Sequence, residues 1–337
     1  MILARALGEA LESALAIDRR VIVLGEDIVD PYGGAFKVTR GLSTRFPERV
    51  LTTPVSEGAI VGIAGGLALE GYRPIVELMF GDFLALAFDQ VVNHITKYEA
   101  MYNGRATCPV ILRTPSGGGR GYGPTHSQSL EKHFLGTPHL TTVASSLFHD
   151  PRETFPRLLD RLSPTLYIEH KLLYPLHVLE EDDGRIRFAT VVPEGSDGYL
   201  PTVSLRFVPR SECVLTVLAY GYQAELARRV VERLAIEEEI FCELVCPAQI
   251  GPLDWAPIHE SASVTRSLLV IEEGTAGWSW GTHVAAEIGA RLFGALRAPV
   301  SVEASAPDVI PSAREAESAM LMEEAKIESA VRAAALR

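Results

Sequence analysis

Two stretches of the chain hold side chains suited to moving protons. The first is Thr53-Pro54-Val55-Ser56-Glu57-Gly58, between the short apolar run Val50-Leu51 and the small-residue stretch Ala59 to Ala68, which reads as a closely packing helix. This order sets the carboxylate of Glu57 at a helix start, where the backbone dipole favours negative charge. Taken locally, that dipole accounts for Glu57 without any chemistry. The second stretch runs from Arg113 to Ser129 and holds five glycines within seven residues, Gly117, Gly118, Gly119, Gly121 and Gly123, ahead of Pro124 and the titratable His126. Glycines admit positive φ and close backbone approach, and Pro124 restrains the step into His126. The loop directly follows a strand candidate, and ligands gather beyond the carboxyl ends of parallel strands. Catalytic groups concentrate on loops held by rigid strands, so function outweighs a merely flexible surface loop. Neither Gly-x-x-x-x-Gly-Lys-Ser/Thr nor Gly-x-Gly-x-x-Gly occurs, which removes the main support for the two commonest nucleotide-binding readings.

The framework that must hold these stretches reads as α/β throughout, with strand-length apolar runs alternating with helical patterns. Strands are expected at Arg20 to Leu24, Arg73 to Leu78, Pro109 to Arg113, Thr141 to Ala144 and Thr165 to Glu169, with helices at Ile2 to Ala16 and Phe83 to Tyr102. In the latter, Phe83, Leu86, Ala87, Val91 and Ile95 form one apolar stripe. Residues 1–178 therefore form a first doubly wound domain. The pattern dissolves over 179–211, through Glu180-Glu181-Asp182-Asp183-Gly184 and Pro193-Glu194-Gly195-Ser196-Asp197-Gly198, as in a linker holding only a short strand-like run, Thr202 to Val208. A second, smaller doubly wound domain occupies 212–337. It is expected to hold strands at Val214 to Tyr220, Ile240 to Val245, Ser267 to Ile271 and Pro299 to Val302, helices at Gln223 to Leu234 and Trp280 to Phe293, and one closing helix from Ser312 to Ala335.

Composition narrows the partners. Net charge is −12 and the 31 Lys and Arg are scattered, so no surface tracks phosphates and nucleic acid is not expected. Acidic residues come too early in the first ten for a signal peptide, and no apolar run approaches the ~20 residues that span a bilayer, so a cytoplasmic protein without membrane contact is expected. Cys108, Cys213, Cys242 and Cys246 lie in or beside apolar runs and read as buried; no zinc-site spacing follows Cys242 and Cys246, so a metal site is not expected.

Several ordered blocks resemble the β subunit of thiamine-diphosphate-dependent 2-oxo-acid dehydrogenases, the decarboxylating component of the pyruvate, branched-chain and acetoin dehydrogenase type. They are Leu24-Gly25-Glu26-Asp27, Gly33-Gly34-Ala35-Phe36-Lys37-Val38-Thr39-Arg40-Gly41-Leu42, Thr53-Pro54-Val55-Ser56-Glu57, Ala87-Phe88-Asp89-Gln90 and His126-Ser127-Gln128-Ser129. Gly251-Pro252-Leu253-Asp254 and Val270-Ile271-Glu272-Glu273-Gly274 resemble the C-terminal domain shared with transketolases. The resemblance implies a pyrimidine-binding thiamine-diphosphate fold followed by a transketolase C-terminal-like domain. It implies that Glu57 bonds the pyrimidine ring nitrogen and activates the cofactor, that Phe83 packs on the pyrimidine with Val55 and Met79 nearby, and that His126 serves proton transfer as the acyl group passes to a lipoyl-bearing acyltransferase. A carboxylic acid suits the first task because burial can raise its pKa until it shares a proton with a ring nitrogen. The family's Gly-Asp-Gly motif, which holds Mg2+ and the diphosphate in an α subunit, is absent here, so the resemblance implies an α partner, activity only in its company, and an α2β2 assembly.

The chain departs from the family pattern at Gly277-Trp278-Ser279-Trp280-Gly281-Thr282-His283, where two tryptophans replace smaller and acidic residues, and at Asp308-Val309-Ile310-Pro311-Ser312-Ala313, where the ending is less proline-rich. The rival enzyme class is a split transketolase moving a two-carbon ketol unit. The block His126-Ser127-Gln128-Ser129 favours oxo-acid decarboxylation with acyl transfer to a lipoyl group or another carrier.

Overall fold

The computed structural model describes residues 1–179, 187–191 and 200–336, the middle stretch by its backbone only. The chain divides into two compact units, Met1–Gly117 with His133–Val178, and Gly118–Lys132 with Leu179–Arg337. Among the described residues no helix is long and apolar enough to cross a membrane.

In the first unit, β1 (Val21–Gly25), β2 (Val50–Thr52), β3 (Arg73–Glu77), β4 (Ile111–Ser116), β5 (Thr141–Ala144) and β6 (Thr165–His170) lie in the order β5-β6-β4-β3-β1-β2 with every pairing parallel. A parallel sheet covered on both faces wants unbroken apolar strands, and Val21-Ile22-Val23-Leu24-Gly25 is buried throughout. Helix α1 (Leu3–Ile17) buries Leu3, Leu7, Leu11 and Leu15 beside Ala6, Ala10 and Ala14, one stripe at helical spacing. Burying each of these leucines contributes about 1.5–3 kcal/mol. Two single turns, α2 (Leu42–Arg45) and α4 (Tyr98–Met101), flank the helix α3 (Glu57–Leu69). Helix α5 (Pro151–Leu159) starts where the Asp150 side chain accepts from the Arg152 N–H and Pro151 fills the first turn. Ile60, Val61, Ala64, Val76, Leu84, Val91, Ile95 and Leu112 share one core on this sheet.

The stretch expected as one helix from Phe83 to Tyr102 is different: Gly81–Ala87 is a 3-10 helix, Gln90–Ile95 a π-helix and Tyr98–Met101 an α-turn. Tightening and then widening the turn replaces the expected stripe. Leu84, Ala87, Val91 and Ile95 are buried, Phe83 is half-buried and Leu86 is exposed.

The second unit holds β7 (Arg187–Val191), β8 (Thr202–Arg206), β9 (Leu215–Ala219), β10 (Cys242–Pro247), β11 (Gln249–Gly251), β12 (Leu268–Thr275) and β13 (Ser301–Ser305). Its six-stranded sheet has the order β13-β12-β9-β10-β8-β7. The pairings from β13 to β10 are parallel, whereas β8 joins β10, and β7 joins β8, antiparallel. The 179–211 stretch is therefore not simply a linker, because β7 and β8 complete this sheet as an edge hairpin. Its acidic and Pro-Gly-rich segments at 180–186 and 192–199 lie outside the described residues. Helices α6 (Gly221–Glu238), α7 (Ala256–Thr265) and α8 (Trp280–Arg291) cover the sheet. The closing segment is two helices rather than one, α9 (Arg314–Met320) and α10 (Glu324–Ala335). They are parted where Leu321 and Met322 turn inward to burial and the Lys326 Nζ donates to the Leu321 carbonyl at 2.7 Å.

All four cysteines are buried, as expected, and none is bridged. Burial pushes the thiols of Cys108 and Cys242 up to about 12 and that of Cys213 up to about 11.

Candidate functional site

Strands β3, β1 and β2 are neighbours, and parallel pairing brings their carboxyl ends to one edge of the first sheet. Glu26 follows β1, Val55 and Glu57 follow β2, and Met79 and Phe83 follow β3. Glu57 is the first residue of α3 and only 4% exposed, whereas Val55, two residues earlier, is 80% exposed. Met79 and Phe83 are half-buried, Phe83 with its ring edge-on to Phe80 at 6.1 Å. Helix α3 reaches this position because Gly58 and Gly65 allow close approach. A Cβ on Gly58 would stand 3.3 Å from the Gln90 Oε1, and one on Gly65 3.0 Å from the Ile95 Cγ2.

Glu26 is buried beside Glu57. Burial raises the Glu26 carboxyl above its ordinary value, the charges of Glu57 and Asp27 raise it further, and a hydrogen bond from the Ser56 backbone N–H acts in the opposite direction. Its Oε1 accepts no hydrogen bond. Burial and neighbouring negative charge thus both disfavour ionisation of Glu26.

Beneath this edge the Arg113 guanidinium grips the Glu169 carboxylate through Nε and Nη2 at 2.8 and 2.7 Å and reaches Glu77 through Nη1. The Tyr174 hydroxyl donates to the Glu169 Oε2 at 2.7 Å. Burial raises the Glu77 carboxyl, with Arg113 opposing. Gly25 and Gly34 fit around Glu77: a Cβ on Gly25 would come within 2.5 Å of the Glu77 carbonyl oxygen, and one on Gly34, whose φ is +79°, within 2.8 Å of its Oε1.

His126 belongs to the second unit, in Gly118–Lys132, whereas Val55, Glu57, Met79 and Phe83 belong to the first. It is half-buried, its backbone N–H closes a turn onto the Gly123 carbonyl at 3.3 Å, and its Nδ1 lies 3.0 Å from the Thr125 Oγ1. The other end of this segment is pinned within the unit. The Tyr220 hydroxyl donates to Glu131 Oε1 at 2.8 Å and the Lys132 Nζ donates to Thr275 Oγ1 at 2.6 Å. Of the two tryptophans, Trp280 is core, packed edge-on against Tyr220 at 4.9 Å, and Trp278 alone is exposed.

Two family models match the chain in succession. Residues 1–176 match Transketolase, pyrimidine binding domain, and residues 207–327 match Transketolase, C-terminal domain. The acetoin:2,6-dichlorophenolindophenol oxidoreductase subunit beta of Cupriavidus necator is 32% identical over 97% of this chain and 95% of its own length. The 2-oxoisovalerate dehydrogenase subunit beta of Bacillus subtilis is 34% identical over 97% and 96%, and the pyruvate dehydrogenase E1 component subunit beta of Leifsonia xyli is 35% identical over 88% and 83%. The chain belongs to the family of transketolase-like β subunits of thiamine-diphosphate-dependent 2-oxo-acid dehydrogenases. A solved structure described as a split gene transketolase, inactive beta4 tetramer, shares the fold at a TM-score of 0.75 and 20% identity, over 100% of this chain and 99% of the other.

The first-unit edge fits the aminopyrimidine of that cofactor. It offers a buried carboxyl, an orphaned second carboxyl oxygen on Glu26, a half-buried aromatic ring and an exposed apolar Val55. Reading from sequence nominated Glu57, Val55, Met79 and Phe83 and gave no role to Glu26. A carboxylate placed at the end of an unbroken apolar strand was the available signal, and it stood within a block that carried the resemblance.

Proposed function

We propose that this chain is the β subunit of an α/β enzyme that decarboxylates a 2-oxo acid and transfers the acyl group to a lipoyl or other carrier. The observation that carries this is the buried Glu57 carboxyl at a helix start, in a chain similar along nearly its whole length to β subunits of 2-oxo-acid dehydrogenases. Thiamine diphosphate, when bound, would supply a nucleophilic thiazolium carbon and a cationic ring able to take up the electron pair left as CO2 departs. Glu57 holds a proton at the pyrimidine ring nitrogen, and the low-dielectric surroundings strengthen that hydrogen bond. Glu26, its own carboxyl raised by burial and by the charge of Glu57, stands beside it as a second buried acid. Phe83 and Met79 orient the ring and exclude water, and Val55 caps it. His126 takes and returns a proton as the acyl group leaves for its carrier. Mg2+ and the diphosphate are held by an α subunit, as the sequence resemblance implies, in an α2β2 assembly in the cytoplasm.

The test is to co-express the chain with its α partner and assay CO2 release over a panel of 2-oxo acids, with sugar phosphates alongside. Decarboxylation is expected, and Glu57→Gln should lower it by about 10²- to 10⁴-fold, since an amide cannot relay the proton. Ketol transfer without decarboxylation would sink the proposal in favour of a split transketolase.

A further inference from the structure

We propose that Glu317, 198 residues beyond Gly119, is a positioning residue that sets the conformation of the His126 loop from the far end of the chain. The inference rests on the reading of His126 given above. Glu317 lies on α9 and is 1% exposed. Its Oε1 accepts the Gly119 N–H at 2.9 Å and its Oε2 accepts the Gly121 N–H at 2.8 Å. Both glycines have positive φ, +84° and +68°, so their N–H groups converge into a concavity of the kind that binds anions. Here the anion is the protein's own carboxylate, and both of its oxygens are used.

A second carboxylate ties the ends of the same loop. The Glu273 Oε1 accepts the Gly118 N–H at 2.7 Å and the Ser129 hydroxyl at 3.3 Å, while its Oε2 accepts the Gln223 Nε2 at 3.1 Å. The segment around α9 also packs closely on the loop's glycines. A Cβ on Gly118 would come within 2.5 Å of the Leu321 Cδ1, and one on Gly123 within 2.5 Å of the Ser312 Oγ. His126 stands three residues past Gly123 and bonds back to its carbonyl. The ring is thus aimed by a loop fixed at its base by Glu273 and along its glycine run by Glu317. Carboxylate bonds to backbone N–H are of the strong, charge-assisted kind, so one side chain can hold a stretch rich in otherwise permissive glycine.

The experiment has two readouts. Residue-resolved amide hydrogen exchange on the full chain should show Gly119 and Gly121 exchanging at least about tenfold faster in Glu317→Ala. The isosteric Glu317→Gln, which keeps one acceptor oxygen, should lose protection at one of the two amides and serves if the alanine variant does not fold. In the assembled enzyme, acyl transfer to dihydrolipoamide-type carriers should fall by up to about 100-fold. Decarboxylation read with an artificial electron acceptor should change by less than about twofold, a split that general loss of structure would not produce. Wild-type exchange at both amides in both variants would overturn the clamp. Faster exchange with unaltered acyl transfer, while His126→Ala abolishes transfer, would overturn the positioning role. If His126→Ala itself transfers normally, the reading of His126 fails and the clamp is decided by the exchange rates alone.

Discussion

Arg113 carries its charge to a place where it is 1% exposed, between the Glu77 and Glu169 carboxylates. Burial disfavours that charge and the two carboxylates restore it. Removing the cation leaves two buried acids unpaired, so Arg113→Leu should cost about 3–5 kcal/mol, read as a lower denaturant midpoint. Glu272 allows a test by pH. Burial pushes its carboxyl up to about 7 from an ordinary 4.5, against hydrogen bonds from the Ser279 side chain and the Gly281 N–H. A folded-state pKa above the unfolded one means the folded chain binds more protons between those values. The group's stabilisation is complete below about 4.5 and lost as pH rises to about 7. Glu272→Gln should therefore match the native chain near about pH 5 and gain on it near about pH 8 in denaturant titrations. None of these residues announced itself in the sequence. Glu57 was a plain helix-start acid until ordered blocks around it supplied a context, and the roles of Glu26, Arg113 and Glu272 depend on tertiary neighbours that periodicity does not encode.

Among the elements, the central strands of both sheets were legible because buried parallel strands leave unbroken apolar runs, as at Val21 to Leu24 and Leu268 to Ile271. Phe83 to Tyr102 was not, because a 3-10 turn followed by a π-turn averages to something close to the α-helical period over that length. Helix α5 also went unread, since Pro156 stands inside it. Of the edge hairpin, the strand-like run at Thr202 to Val208 is β8, whereas β7 was obscured by the acidic and Pro-Gly-rich residues around it. Two glycines make a contrasting test of packing. Gly25→Ala drives a Cβ into the Glu77 backbone and should destabilise by about 1–3 kcal/mol. Gly62→Ala, on the exposed face of α3 with open space around it, should stabilise the isolated chain by up to about 1 kcal/mol. Equal denaturant midpoints for the two variants would contradict this account of the glycines.

At the scale of the whole chain, composition identified little and the ordered motif blocks pointed to the family, and β subunits are similar to this chain over nearly its full length. The chain purified alone is expected to show no turnover, with activity appearing on titration with the α partner and saturating at equal stoichiometry. The cysteines have one more consequence. Cys108 is the sole thiol of the first unit, and Cys213, Cys242 and Cys246 all belong to the second. With the thiols buried, and those of Cys108, Cys213 and Cys242 held protonated, alkylating reagents must wait for the surrounding structure to open. The native chain thus carries its own site-resolved stopwatch. The order in which peptides bearing Cys108 and Cys242 gain label tells which half loosens first as the protein ages or warms.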